Sequence, residues 1–543
     1  MPKMTGGQAI VGTLTQHGVD TVFGLPGVQL DNTFDALYEA RNSVRLIHTR
    51  HEQGAAYMAL GYAQASGKVG VCITGPGPGL LNMGAALSTA AASNVPVLCL
   101  AGQIPSTQIG LGIGMTHEIR DQSMAMRGVV KWVGRADSAS EAPGVMREGF
   151  SQMLETRHQP VVFEMAPDIM GKAEDVTLLD AEDYEIDPPL DDAALDEAAA
   201  ILNAADTPAI FVGSGVFGAE AELLRLAELL QAPVIMSRTG RGALSDHHPL
   251  AQTMIAGQEL WPSVDAAIAI GTRFVAPSMA WGRMAEVKTV RLDIDPEKAL
   301  KPRAAEVPVI GRASAGLPAL ADRIEAMGRA RPSRLDEYAA NRKSAQDKLS
   351  GLEPQYGFAS AIRDTLPEDG IVVTDVTQMA TFLQNWMPVY HPRTLITPSY
   401  QGTLGYGFAT ALGAKVGCPD KKVVCVSGDG GFMYNVQELS TAVAHGIDLV
   451  TIVFNDNTFG NVKRFQKENY GARHIAVDLH NPDFPKLAEN FGMKGLRAET
   501  PAELRAALRE AFAHAGPVLI EVPIGEVPNT WALVKRPPSA ATS

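Results

Sequence analysis

The chain has 543 residues, 46% hydrophobic and 20% charged, with a formal net charge of −14. Length on this scale favours about three globular domains, and the acidic balance argues against a nucleic-acid partner, which needs clustered Lys and Arg to displace counterions from phosphates. No uninterrupted apolar run is long enough to span a bilayer, so a membrane role is set aside as well and a small organic substrate is the expectation that remains.

From the amino terminus, MPKMTGGQAIVGTLTQHGVD opens into an amphipathic helix pattern without the long apolar segment of a signal peptide. Short Val- and Ile-rich runs then alternate with helical patterns, the signature of a parallel sheet covered by helices on both faces. In the first third the runs are VGVCIT, PVLCLAG and PVVFEM; in the middle PAIFVGSG, PVIMSR, AAIAIGTR and KTVRLDID; in the last third IVVTDV, KVVCVSGDG, LVTIVFND and PVLIEVPI. An acidic, Pro-containing stretch from about Glu174 to Asp192 and a Lys- and Arg-rich helical stretch from about Arg329 to Lys348 separate these sets and read as linkers. The prediction is an α/β chain of three doubly wound parallel-sheet domains, over residues 1–172, 190–330 and 352–530. The tail RPPSAATS reads as disordered or as a flexible flap. Cys72, Cys99, Cys418 and Cys425 form no CxxC pair and no metal-type cluster, which makes a reducing cytoplasm the default compartment.

In the last third, KVVCVSGDGGFMYNVQELSTAV begins as a buried strand, breaks at Gly428-Asp429-Gly430-Gly431 and resumes as a helix. Such a turn points backbone N–H groups at an anion and suits a diphosphate. Asp429 sharpens the reading, because a carboxylate beside a phosphate is repulsive unless a cation lies between them. A second strand, LVTIVF, ends in Asn455-Asp456-Asn457-Thr458, and neighbouring parallel strands deliver their carboxyl-end loops to one sheet edge. Asp429 and Asp456 side chains and a Thr458 carbonyl would then supply oxygen ligands to a magnesium ion.

With these motifs the chain resembles the thiamine-diphosphate enzyme superfamily of acetolactate synthase, benzaldehyde lyase, pyruvate oxidase and the 2-oxo acid decarboxylases. Asp456 stands 27 residues beyond Asp429, the spacing at which the family usually has a metal-binding Asn. The resemblance implies a pyrimidine-binding first domain, a central domain and a diphosphate-binding last domain. Arg50-His51-Glu52-Gln53 is similar to the family's RHEQ motif, whose Glu drives the cofactor's aminopyrimidine into its imino tautomer. Gly402-Thr403-Leu404-Gly405-Tyr406-Gly407 is similar to GTMGYG, with Leu404 as the wedge that bends the cofactor. Thr377 and Gln378 match a second diphosphate-binding turn, and Pro78 and Asn82 match the loop bordering the pyrimidine. Pro26, Gly402, Gly430, Gly431 and Phe459 complete the residues the resemblance puts around the cofactor. In the family the activating Glu and the diphosphate belong to different subunits, which implies a homodimer or a homotetramer of such dimers.

The family chemistry attacks a carbonyl and breaks a bond to CO2 or an acyl group; protonation then releases an aldehyde, whereas attack on a second carbonyl gives a hydroxyketone. Gln29 falls where benzaldehyde lyase has a histidine, and Gln hydrogen-bonds an alkoxide but shuttles no proton. Acetolactate synthases carry Phe-Gln-Glu where this chain has Thr116-His117-Glu118, and His117 is the candidate titratable group near neutral pH. The acetolactate synthase Lys falls at Pro167, and its Trp at Phe465. These departures rank a 2-oxo acid decarboxylase or carboligase first and acetolactate synthase second. Behind them stand a hydroxyacyl-CoA or hydroxyketone lyase and a flavin enzyme with FAD in the central domain, FAD being possible but not expected. The substrate expected is a 2-oxo acid or a hydroxyketone.

Overall fold

The computed structural model describes residues 2–534; Met1 and residues 535–543, which include the tail RPPSAATS, lie outside the described residues. Three six-stranded sheets, parallel throughout, carry the three parts of the chain. The first runs Arg45–His48, Thr21–Gly24, Gly70–Thr74, Val97–Gly102, Val161–Met165, Trp132–Ala136. The central sheet runs Ala251–Gln252, Val234–Met236, Pro208–Val212, Ala266–Ile270, Lys288–Asp293, Val307–Ile310. The last runs Leu395–Ile396, Ile371–Thr374, Val423–Gly428, Val450–Asn455, Val518–Pro523, Lys494–Arg497. Helices cover both faces of each, so the inner strands are buried on both sides and read as continuous apolar runs rather than alternating ones.

Local sequence sets where helices begin. Thr5 and Gln8 form a reciprocal capping box at the first helix, Gly6–Gln16, and Asp191, Thr253, Asp483 and Thr500 cap others with side-chain oxygens. The acidic stretch after the first domain starts as a strand, Ala173–Asp175, paired antiparallel with Lys3–Thr5. The basic stretch is the helix Leu335–Ser350, which bridges two parts. Its Arg342 donates to the carbonyls of Asp246 (2.9 Å) and His248 (2.8 Å), while Ala345 and Leu349 join the core of the last domain.

The first and last domains meet through helices Glu52–Ser66 and Tyr406–Gly417, packed backbone to backbone. A methyl group on Gly61 would overlap the Thr410 carbonyl, and one on Gly413 the Met58 carbonyl, so glycine is required at both contacts. Between the three domains lies a cavity of about 1610 Å³, lined by Gly213, Gly215, Gly271, Arg273 and Tyr400 among others. All four cysteines are free thiols, and among the described residues no helix is long and apolar enough to cross a membrane.

Candidate active site

The last sheet brings the carboxyl ends of Ile371–Thr374, Val423–Gly428 and Val450–Asn455 side by side. Three of the loops in the resemblance emerge there. Asp375, 1% exposed, ties them together: Oδ1 accepts the Val376 N–H at 2.7 Å and Oδ2 accepts the Ser427 hydroxyl at 2.9 Å. Its carboxylate also takes backbone N–H groups of Gly407 and Gly405, and burial pushes its pKa up. A Cβ at Gly407 or Gly431 would lie 2.7 Å from Asp375, so those glycines let the turns close on the carboxylate. Asp375 is not foreseen from the sequence, where its signal is only a carboxylate directly after the buried run IVVT.

Asp429 is 2% exposed and opens the short helix Asp429–Phe432. Burial, followed by the negative charge of Asp456, pushes Asp429 up to about 6, and burial raises Asp456 as well. Asn481, also unforeseen, donates its amide to Asp429 Oδ2 at 2.6 Å and to Asn455 Oδ1 at 2.9 Å. The Thr458 N–H meets Asp456 Oδ1 at 3.0 Å. A buried carboxylate, Asp429, raised by the charge of the partly buried Asp456, forms with it a donor set suited to a hard divalent cation. Among the described residues no cluster of three or more His, Cys, Asp or Glu side chains offers a different metal centre.

Thr377 precedes the helix Gln378–Trp386 and forms no side-chain cap, which leaves that helix's first N–H groups for an anion. A Cβ at Gly428 would sit 3.2 Å from Thr377 Oγ1, so the two turns are adjacent. Phe459 packs on Gly430, where an added Cβ would come 2.8 Å from the ring. Leu404 lies between Gly402 and Gly405, whose φ values of 60° and 82° belong to the left-handed region. The Gly405 carbonyl is held by Asn435 Nδ2 at 2.6 Å.

In the first domain Glu52 opens its helix, with His51 as the cap. Glu52 Oε2 accepts the side-chain amide of Asn82 at 3.0 Å, and Gly79, next to Pro78, lies against Glu52 Oε1. Gly77 and Gly102 join the remaining candidates. Gln122 accepts the Gly77 N–H at 2.7 Å and donates to the Gly102 carbonyl at 3.0 Å. The His117 carbonyl abuts Gly77, and the loop of Pro26 and Gln29 abuts Gly102. His117 itself is exposed with φ 68°. Glu118 accepts N–H groups of Gly112, Gly114 and Met115 at 2.9, 2.7 and 2.9 Å, so it organises its own loop. Phe465 is exposed on the helix Gly460–Asn469, while Pro167 starts the helix Pro167–Met170.

A third residue that sequence analysis missed connects the two halves. Glu438, buried in the last domain, accepts the backbone N–H groups of Arg50 (3.1 Å) and His51 (3.1 Å), immediately before Glu52. Burial raises its pKa.

Comparison with known proteins matches the same three parts. The thiamine pyrophosphate enzyme N-terminal TPP binding domain covers residues 4–125, the central domain 195–320 and the C-terminal TPP binding domain 375–522. The chain belongs to the thiamine pyrophosphate enzyme family. It is 33% identical to a probable acetolactate synthase large subunit of Methanocaldococcus jannaschii, over 96% of this chain and 92% of that protein. It is likewise 33% identical to acetolactate synthase isozyme 2 large subunit of Escherichia coli, over 99% of each. A probable 2-ketoarginine decarboxylase of Pseudomonas aeruginosa is 33% identical over 96% of this chain and 94% of its own. This family member is therefore a thiamine-diphosphate-dependent enzyme, and the family's two cofactor-binding domains are the parts that carry Glu52 and Asp429.

Proposed function

We propose that this family member is a carboligase of the acetolactate synthase type, decarboxylating one 2-oxo acid and joining the remaining fragment to a second carbonyl compound. The observation that carries the reading is near full-length likeness to acetolactate synthases, which reverses the order of preference drawn from individual residues. Thiamine diphosphate, when bound, supplies the nucleophilic carbon and the electron sink. Asp429, Asp456 and a Thr458 carbonyl would hold magnesium. Thr377, Gln378, Gly430 and Gly431 would hold the diphosphate, with Leu404 beneath the bend and Phe459 behind Gly430.

Glu52 is the group that would hold a proton on the aminopyrimidine, oriented by Asn82. Gln29 would hydrogen-bond the substrate oxygen, and His117 would exchange a proton at the mouth of the site. Pro26, Pro78 and Gly402 would border the cofactor. The catalytic unit in this reading is a homodimer, or a homotetramer built from it, in which Glu52 serves a partner's diphosphate site. Support comes from Glu52 hydrogen-bonding within its own domain, with its carboxylate side chain partly exposed.

A second reading is a decarboxylase of larger 2-oxo acids. It is favoured by Thr116-His117-Glu118 in place of Phe-Gln-Glu, and by the likeness to the 2-ketoarginine decarboxylase. The purified protein is supplied with magnesium and thiamine diphosphate and given pyruvate, then a panel of 2-oxo acids. Acetolactate from pyruvate supports the first reading, and aldehyde with CO2 from a larger acid supports the second. No CO2 from any member of the panel sinks both. Absorbance of the same preparation near the flavin bands tests whether the central cavity carries FAD.

A further inference from the structure

On the helix Gly460–Asn469, which follows the loop of Asp456 and Thr458, Arg464 is turned inward with its side chain 11% exposed. Its Nη2 donates to Asn461 Oδ1 at 2.6 Å. Asn461 Oδ1 also accepts Gln378 Nε2 at 3.2 Å, and Gln378 is the first residue of the helix expected to face the diphosphate. The rest of the guanidinium is buried without a hydrogen-bond acceptor among the described residues: Nε and Nη1 both qualify. Glu468 Oε1 is 3.6 Å from Nε, an ion pair beyond hydrogen-bond distance, and Glu526 contributes a more distant negative charge. Gln378 Oε1 is buried without a donor in the same network.

A guanidinium is planar, always charged, and presents its donors as a fork that matches a carboxylate or phosphate edge. Burying two of those donors unpaired is unfavourable, and the rest of this sheet edge is arranged to receive an anion. Asn461 and Gln378 fix the plane of the fork from the side that is already satisfied.

We propose that Arg464 is an oxyanion-binding residue of this site: steadied by Asn461 and Gln378, its unpaired Nη1–H donates to an oxygen of the cofactor's diphosphate or of the substrate's carboxylate. The carboxylate source rests on the proposed function, whereas the diphosphate source rests only on family membership.

The test is calorimetric titration of the full-length wild-type protein, Arg464→Gln and Arg464→Lys. One series uses magnesium pyrophosphate alone; the other uses 2-oxo acids added to protein loaded with magnesium and thiamine diphosphate. Arg464→Gln should weaken one of the two probes by about ten- to a hundredfold, as loss of a charged hydrogen bond does. Arg464→Lys should lose less, because the charge remains while the planar fork is gone. Weakened pyrophosphate binding identifies the diphosphate as the anion. Unchanged pyrophosphate with weakened 2-oxo acid binding identifies the carboxylate. If both probes bind the folded Arg464→Gln protein within about twofold of wild type, the buried donors are satisfied by water and the inference is overturned. Should Arg464→Gln fail to fold, the same comparison on Arg464→Lys decides. A wild-type protein that turns over no 2-oxo acid defeats the proposed function, and the pyrophosphate series still reads Arg464.

Discussion

Glu438 accepts the backbone N–H of His51 at 3.1 Å, so a side chain from the domain that carries Asp429 fixes the residue immediately before Glu52. Glu438 is buried, and it reaches the helix N-terminus where a carboxylate interacts favourably with free N–H groups. It makes the position of Glu52, the proposed activating residue, depend on the other cofactor-binding domain of the same chain.

Removing that carboxylate should therefore destabilise the protein. Glu438→Ala leaves the Arg50 and His51 N–H groups and the Thr441 hydroxyl without their acceptor, at a cost of ~1–3 kcal/mol. Urea unfolding checks this, with a smaller loss expected for Glu438→Gln, which keeps one acceptor oxygen. Unchanged unfolding midpoints in both variants would show that the contact contributes nothing.

Glu52→Gln should retain cofactor binding and lose cofactor activation by about a hundredfold or more, the range of general acid–base effects. Proton exchange at the thiazolium carbon, followed by nuclear magnetic resonance, is the direct readout. Exchange at the wild-type rate would remove Glu52 from the activating role.

Asp456→Asn should preserve magnesium-dependent cofactor binding, since the amide oxygen remains a ligand. It should also change the pH dependence. Asp429 is pushed up to about 6 partly by the Asp456 charge, so its carboxylate is protonated, and magnesium is disfavoured, as pH falls through that value. Removing the second charge lowers the Asp429 pKa, and metal-dependent binding should persist to more acidic pH. Calorimetric titrations with magnesium and cofactor between pH 5 and 8 test the direction; a shift towards higher pH, or complete loss of binding, contradicts it.

Gly413→Ala should weaken the join between the two cofactor-binding domains. The added methyl overlaps the Met58 carbonyl, backbone that cannot yield without separating the two helices. Overpacking of this kind costs ~1–3 kcal/mol, measurable by thermal or urea unfolding. Gly144→Ala, where an added Cβ meets nothing within 4 Å, serves as the control.

Much of the fold was legible because inner parallel strands, buried on both faces, must be apolar along their whole length. Each of the eleven runs picked out in the sequence contains a strand. In the three six-stranded sheets, the strands without such a run are the six at sheet edges and one inner strand. The edge strands, Arg45–His48, Trp132–Ala136, Ala251–Gln252, Val307–Ile310, Leu395–Ile396 and Lys494–Arg497, are short or mix polar with apolar residues. The inner strand Thr21–Gly24 is buried but has only Val22 and Phe23 as large apolar residues.

The site divides along similar lines. The turn at Asp429 could be read from sequence because it is a local strand–turn–helix feature, whereas Glu52 and the glycines around Leu404 stood out only through their resemblance to family motifs. Asp375, Asn481 and Glu438 could not be assigned partners: a lone buried carboxylate or amide looks alike in sequence whatever it meets. Only the packing of one sheet edge against three loops, and of one helix against another across domains, decided that Asp375 gathers the turns, that Asn481 meets Asp429, and that Glu438 holds the approach to Glu52. Hydrogen bonds between residues far apart in the chain depend on where the backbone returns, and that return is a property of the tertiary structure.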